Sequence, residues 1–413
     1  MILNLDEIQS EREDNVKKIS QLSVITLLVA LVLTACTGTT PATKEEAKEP
    51  ILIGGALALT GINAPIDEPA MRGIQLAVDE LNKKGGILGR QVEFINLDSK
   101  SDPVTSSNVG VQLVEKGADA IIPAADFDMG GPACREAQKA GIVCISTTAS
   151  SPLFGSEALG DKVFTLSMWN TTMGAATAEF GYKTKGWRKV WVVTDTFIDY
   201  TTSLSRYFIT QFKDLGGEVL FEDTYTQGAQ DFSAQLARIQ ASPVTPDFIY
   251  VSSYMPDLGT IIRTIREAGI TVPIVGGDTY DDPGMFEAVG PDYGNDVYFD
   301  THGFLSADAN PRYNEFSTAY KAKYGKDPEA VWILPGYDVV MALAQAMEKA
   351  GTTDGAAVAK AMEEMEFDNL TGHLDWSDAA SGHMPDKAAA LVVLQGGKPQ
   401  FLGWVIPETL PPP

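Results

Sequence analysis

From residue 51 onward the hydrophobic positions follow two alternating rhythms. Ile51–Leu59 (ILIGGALAL) is a short, nearly continuous apolar run, as a strand buried on both faces requires. In PAMRGIQLAVDELNKKGG, which follows, Met71, Ile74, Val78 and Leu81 fall at steps of three, four and three. That is one face of a helix, and Gly85-Gly86 stops it. QVEFINLD (91–98) predicts the next strand. Asp102-Pro103 predicts a helix N-cap with proline in the first turn, opening a helix that runs to Gly117. ADAIIPAA then reads as a strand, a helix begins near Gly131, and IVCIS is a strand.

The rhythm restarts further on. KVWVVTD, EVLFEDT, DFIYVSS and VPIVGG predict strands at 189–195, 218–224, 247–253 and 272–277, with helical segments between them. The same helix-glycine-strand junction recurs in KKGGILGRQV, KDLGGEV, KAGIVC and EAGITV. Repeated αβ units of unequal length predict an α/β fold of two doubly wound, Rossmann-like halves, not a solenoid. DVYFDT is followed by three predicted helices near 311–324, 336–349 and 354–365. The tail, from LTGHLDW to LGWV, predicts two antiparallel strands joined by a long turn, with a Gly-Gly hairpin signal in ALVVLQGGKPQFLGW. Ligands of open α/β sheets bind beyond the carboxyl ends of the strands, so two facing sheets predict a cleft between lobes.

The first 50 residues follow neither rhythm. The apolar run Leu22–Ala35 is too short for a spanning helix, which needs roughly 20 residues, and Lys17-Lys18 precede it. This describes a secretory signal over residues 1–35. Leu33-Thr34-Ala35-Cys36 resembles the lipobox of bacterial lipoproteins, which implies lipid attachment at Cys36 and anchoring without a spanning helix. MILNLDEIQSEREDN is acidic where such signals are basic, so the expected translation start is Val16. TGTTPATKEEAKEP has no apolar period and is expected to be a disordered tether over 36–50.

Charge and composition narrow the function. The chain carries a net charge of −24; without residues 1–35 it keeps 28 basic and 50 acidic residues. Nucleic-acid binding needs clustered Lys and Arg, so that class is excluded. The length from 51 to 407 exceeds one typical core and predicts two domains. Besides Cys36 there are only Cys134 and Cys144. Outside the cytoplasm these either pair as a disulfide or stand as two buried thiols.

LALTGINAPIDEPAMRGIQLAVDELNKKGGILGRQVEFINLDSKSDP resembles the opening of the branched-chain amino-acid-binding proteins, the type I periplasmic binding proteins of ABC importers. DFIYVSSYMPDLGTIIRTIREAGI and VWILPGYDVVMALAQAM are similar to later parts of the same family, in the same order. The resemblance implies two lobes joined by three crossovers: residues 51–168 with 300–373, and 169–299 with 384–407. It implies closure over a small ligand and hand-over to a permease and its ATPase.

The resemblance also implies ligand-binding positions, each just after a predicted strand. The loop Asp126-Phe127-Asp128 departs from the family, whose serine maps to Phe127. Acids there repel a carboxylate and attract a cation or hydrogen-bond donor. The alternative is that Asp126 and Asp128 cap the helix near Gly131. Thr148, Ala149 and Ser150 match the loop that holds a ligand carboxylate. Asp199-Tyr200 and Tyr254 match covering residues, and Asp278 matches the acid that holds the ligand ammonium. Trp169, Asn170 and Tyr280 line either the cleft and hinge or the core. Ile66 stands where many relatives carry an aromatic. Asp98 and Asp102 are expected to be structural.

Catalysis is not expected. His302, His373 and His383 form no zinc pattern, and neither a nucleophile elbow nor a P-loop occurs. No metal or cofactor is implied. The expectation is a monomeric, extracytoplasmic, lipid-anchored binding subunit of an importer, taking an amino acid of the branched-chain type. An amide, urea-like or cationic amine ligand is the alternative, as is a sensor subunit docking to a membrane receptor.

Overall fold

The computed structural model describes residues 48–229, 231–377 and 382–413. The signal segment, the Val16 start, Cys36 and most of the tether lie outside the described residues. Among the described residues no helix is long and apolar enough to cross a membrane.

Residues Glu49–Pro413 form one compact unit built on two sheets. The first holds β1 (Ile51–Ala56), β2 (Val92–Asn96), β3 (Ala120–Pro123), β4 (Val143–Ser146) and β5 (Val163–Thr165), all parallel, in the order β2-β1-β3-β4-β5. The second holds β6 (Lys189–Asp195), β7 (Glu218–Tyr225), β8 (Phe248–Ser252), β9 (Ile274–Gly276) and β10 (Val297–Thr301), also parallel. Its far edge is the antiparallel hairpin of β13 (Ala389–Gln395) and β14 (Lys398–Val405), turning at Gly396-Gly397. The tail therefore holds two hairpins where two strands were expected, because β11 (Glu366–Asn369) and β12 (Gly372–Asp375) pair with each other.

Helix starts differ most from the expectation. The first helix is Ala64–Lys83 and carries Pro69 inside it, so it begins before the PAMRG stretch. The helix expected near Gly131 begins at Phe127, because Asp126 accepts a hydrogen bond from Met129 N (2.8 Å) and caps it. Asp102 caps Pro103–Glu115 through Thr105 N (2.7 Å), as expected. Helix Ile333–Ala350 crosses Ala64–Lys83 at unusually close range. A Cβ on Gly73 would sit 2.1 Å from Ile333 O, and one on Gly336 2.0 Å from Ala70 O. Only glycine fits at that crossing. Cys134 and Cys144 form a disulfide that ties helix Phe127–Ala140 to β4.

The chain passes between the sheets after β5, after β10 and before β13. The buried Lys387, on the third passage, pins this junction. Its Nζ donates to Leu166 O on the first passage (2.8 Å) and to Thr371 Oγ1 (2.9 Å). Burial lowers its pKa to about 8, against the opposing pull of Asp338.

Candidate functional site

Both sheets reverse their strand order at one point: between β1 and β3 in the first, between β6 and β8 in the second. Crevices form beyond the carboxyl ends of strands at such points. The two crevices face each other across one small cavity. It is lined from the first lobe by Ile66, Ala125, Asp126, Thr148, Ser150 and Trp332. From the second come Tyr200, Tyr254, Asp278 and Thr279. It offers about 10 Å³ to a water-sized sphere, roughly the room of one water molecule. A ligand of several heavy atoms therefore enters only if the lobes part. A hollow of about 480 Å³ on the same seam, beside Leu153, Trp169 and Tyr207, does not include Asp278.

Asp278, just after β9, is almost fully buried and both of its oxygens are engaged. Tyr200 Oη donates to Oδ1 (2.5 Å), and His302 Nε2 lies 2.7 Å from Oδ2. With Asp278 Oδ2 as the acceptor, His302 carries its proton on Nε2, and Nδ1 is left without a partner. Burial, reinforced by the Asp278 charge, raises the Tyr200 pKa far above the ordinary phenol value, so Tyr200 stays a donor. The backbone of Tyr200 is held in turn by Asn170 Nδ2, which donates to Tyr200 O (3.0 Å) and Ser203 Oγ (2.7 Å). Tyr200 and Tyr254 meet edge to face with centroids 5.3 Å apart.

The first lobe's wall is built differently. Asp126 Oδ1 caps its helix, but Oδ2 is buried without a partner. Burial raises its pKa to about 6. Asp67 lies behind it, fully buried, with Oδ2 accepting from Ala58 N (2.8 Å) and Oδ1 unpartnered. Burial first, and then the Asp126 charge, raise the Asp67 pKa well above the usual carboxylate range. Thr148 Oγ1 donates to Ala125 O (3.3 Å), joining the loops after β3 and β4. Among the described residues no lysine or arginine lines the cavity.

Four expected residues stand elsewhere. Asp128 Oδ2 accepts from Asp199 N across the lobes (2.9 Å), and the Asp199 carboxylate accepts from Ser151 Oγ. These acids latch the lobes together and do not line the cavity. Phe127 packs against the first lobe's core with Arg135 over its ring at 5.7 Å. Ala149 is buried and its carbonyl accepts from Thr165 Oγ1 (2.8 Å). Tyr280 is core, its hydroxyl donating to Val251 O (2.8 Å). Asp98 is a turn acid, bonding Leu59 N and Lys100 N.

Trp332, Thr279, Ala125 and His302 were not assigned to the site from sequence. Trp332 lies in VWILPGYDVV, whose apolar run reads as core. His302 has no sequence neighbour that marks it; only folding brings it to Asp278. Among the described residues no His, Cys, Asp or Glu group could hold a metal ion.

The chain is 24% identical over 342 residues to the leucine-, isoleucine-, valine-, threonine- and alanine-binding protein of Pseudomonas aeruginosa, covering 82% of this chain and 88% of that one. It is 24% identical over 330 residues to the Leu/Ile/Val-binding protein of Escherichia coli, covering 80% and 87%. The branched-chain amino acid transporter substrate-binding protein LivJ of Streptococcus pneumoniae, solved with isoleucine, superposes with a TM-score of 0.79. It shares 27% identity, covering 87% of this chain and all of that one. The leucine-binding protein LivK of Thermotoga maritima gives 0.78 at 29% identity, covering 87% and 99%. Residues 50–398 match the periplasmic binding protein family, and with two facing doubly wound sheets and a cavity at both switch points, the chain belongs to it.

Proposed function

We propose that this protein is the extracytoplasmic binding subunit of an ABC importer, held to the membrane by lipid on Cys36, and that it captures an α-amino acid of the branched aliphatic class. One observation carries the reading. A buried carboxylate, Asp278, faces hydroxyl-bearing residues Thr148 and Ser150 across one cavity that, among the described residues, no cationic side chain lines. That is a polarised pair of sites for a zwitterion. Asp278, oriented by Tyr200, takes the ammonium through charge-assisted hydrogen bonds. The Thr148–Ser150 loop takes the carboxylate through hydroxyl and backbone donors. Ile66, Tyr254 and Trp332 surround the side chain. The aliphatic class comes from the relatives, whose names state leucine, isoleucine and valine.

Closure brings Asp128 onto Asp199 N and Ser151 onto the Asp199 carboxylate, which encloses the ligand between residues 51–168 with 300–373 and residues 169–299 with 384–407. The permease and its ATPase then receive the closed form.

A thermal-shift screen tests this, with the protein amino acids, simple amides, urea and polyamines as the panel. A ligand at about 100 times its Kd adds roughly 2.7 kcal/mol, so a true ligand gives a plain shift. Leucine, isoleucine or valine should give the largest shifts. Stabilisation by amides or amines alone would overturn the amino-acid assignment and point to the free Asp126 oxygen as the selector.

A further inference from the structure

We propose that His302 is a positioning residue for the ligand's ammonium group, acting through Asp278. This rests on the assignment of Asp278 as the ammonium acceptor.

His302 is fully buried and is the first residue beyond β10, where the chain leaves the second sheet for the first lobe. Its imidazole does two things. Nε2 donates to Asp278 Oδ2 (2.7 Å), while Tyr200 Oη donates to Oδ1 (2.5 Å). Two donors on two oxygens fix both the position and the plane of the carboxylate. Each oxygen keeps a lone pair, so the acid accepts an ammonium without being reoriented. The ring also lies beside Trp332, with centroids 5.7 Å apart, and Trp332 lines the cavity.

The second point is charge. A protonated His302 would cancel Asp278 and compete with the ligand cation. The groups around it keep the imidazole neutral. Burial lowers its pKa below the ordinary value, outweighing the pull of Asp278, and the Lys387 ammonium lowers it further. Asp300, two residues earlier on β10, is fully buried with both oxygens unpartnered. Burial, and then the Asp278 charge, raise its pKa well above the usual carboxylate range. Tyr200 and Tyr250 are held neutral by burial. The two donors on Asp278 are thus neutral groups.

The third point is location. The acid that meets the ligand in the second lobe is bonded to the first residue of a passage between lobes. Fixing Asp278 with a ligand therefore also fixes the start of that passage.

Calorimetry on the purified protein tests this with two probes: leucine, and 4-methylpentanoate, which is leucine without its amine. His302→Phe removes the donor; His302→Gln keeps an amide N–H at similar reach. His302→Phe is expected to weaken leucine about tenfold or more, the scale of a buried hydrogen bond to a charged group. It should leave 4-methylpentanoate unchanged, and His302→Gln should recover most of the leucine affinity. In an Asp278→Asn background His302→Phe should cost nothing further, because a residue that acts through Asp278 has no target there. Should His302→Phe melt below the assay temperature, His302→Met carries the same comparison. Equal losses for both probes, unchanged leucine affinity, or a full additional loss in the Asp278→Asn background would each overturn the proposal. Failure of the wild-type protein to bind any amino acid would overturn the assignment of Asp278 first, and this proposal with it.

Discussion

The two walls of the cavity use the same residue type in opposite ways. In the second lobe Asp278 has a donor on each oxygen, and the backbone of one of them, Tyr200, is itself held by Asn170. In the first lobe Asp126 spends one oxygen on a helix cap and leaves the other buried and unpartnered, with Asp67 behind it. A satisfied buried carboxylate is a preorganised acceptor; an unsatisfied one raises its pKa and costs stability. The acceptor in the second wall is thus preorganised, and the one in the first wall is not.

The sharpest break of this contrast is Asp278→Asn. It keeps the size and removes the charge from the finished wall, and should weaken amino-acid binding about a hundredfold, in the range for losing one partner of a buried charge pair. Calorimetry with leucine reads this, and near-normal affinity would show that the second lobe does not hold the ammonium.

On the first lobe, removal of the disulfide with Cys134→Ala/Cys144→Ala should lower stability by about 2 to 3 kcal/mol, from loop-closure entropy over this short span. Urea denaturation measures it. A loss well under 1 kcal/mol would mean that the bond does not constrain this wall.

Asp126→Asn should act in the opposite direction. Asparagine caps the helix as well as aspartate does. The folded Asp126 pKa is about 6, above the unfolded value near 4. The folded state therefore holds its proton more tightly, and wild-type stability falls as pH rises through that window. The variant should match wild type at pH 4 and exceed it by on the order of 2 kcal/mol at pH 7.5. Melting curves across pH decide this; a gap already present at pH 4 would contradict the cause.

The smallest effect belongs to the latch. Asp128→Ala removes one acceptor from Asp199 N. It should weaken leucine by about threefold to fivefold, mainly through faster release, as suits one hydrogen bond of about 1 kcal/mol. Stopped-flow measurement of release resolves it, and an unchanged rate would mean that the latch does not hold the closed form.

Most of the strands and the Asp102 cap were legible in sequence, because continuous apolar runs and Asp-Pro starts have direct structural causes; the short β5 and β11 were not. Asp126 and Asp278 also stood out, as polar residues directly after apolar strands. The partition of roles was less legible. Whether Asp126, Asp128 or Asp199 faces the cavity depends on one turn of helix. The cap at Asp126 moved that helix start back to Phe127 and swung Phe127 and Asp128 away. Trp332 and His302 were hidden for a different reason. Each is unremarkable in its own segment and matters only through contacts more than twenty residues distant in sequence.

The Lys387 pin also says where motion can be watched. It bonds the first and third passages at one point, so a rotation of the lobes is expected to leave distances there least changed. The edge of the seam farthest from these passages is the rim, where the same rotation has its longest lever arm. A pair of optical or spin labels flanking the rim would register opening as a large change in separation. The same pair set beside Lys387 would stay silent and serve as the internal control.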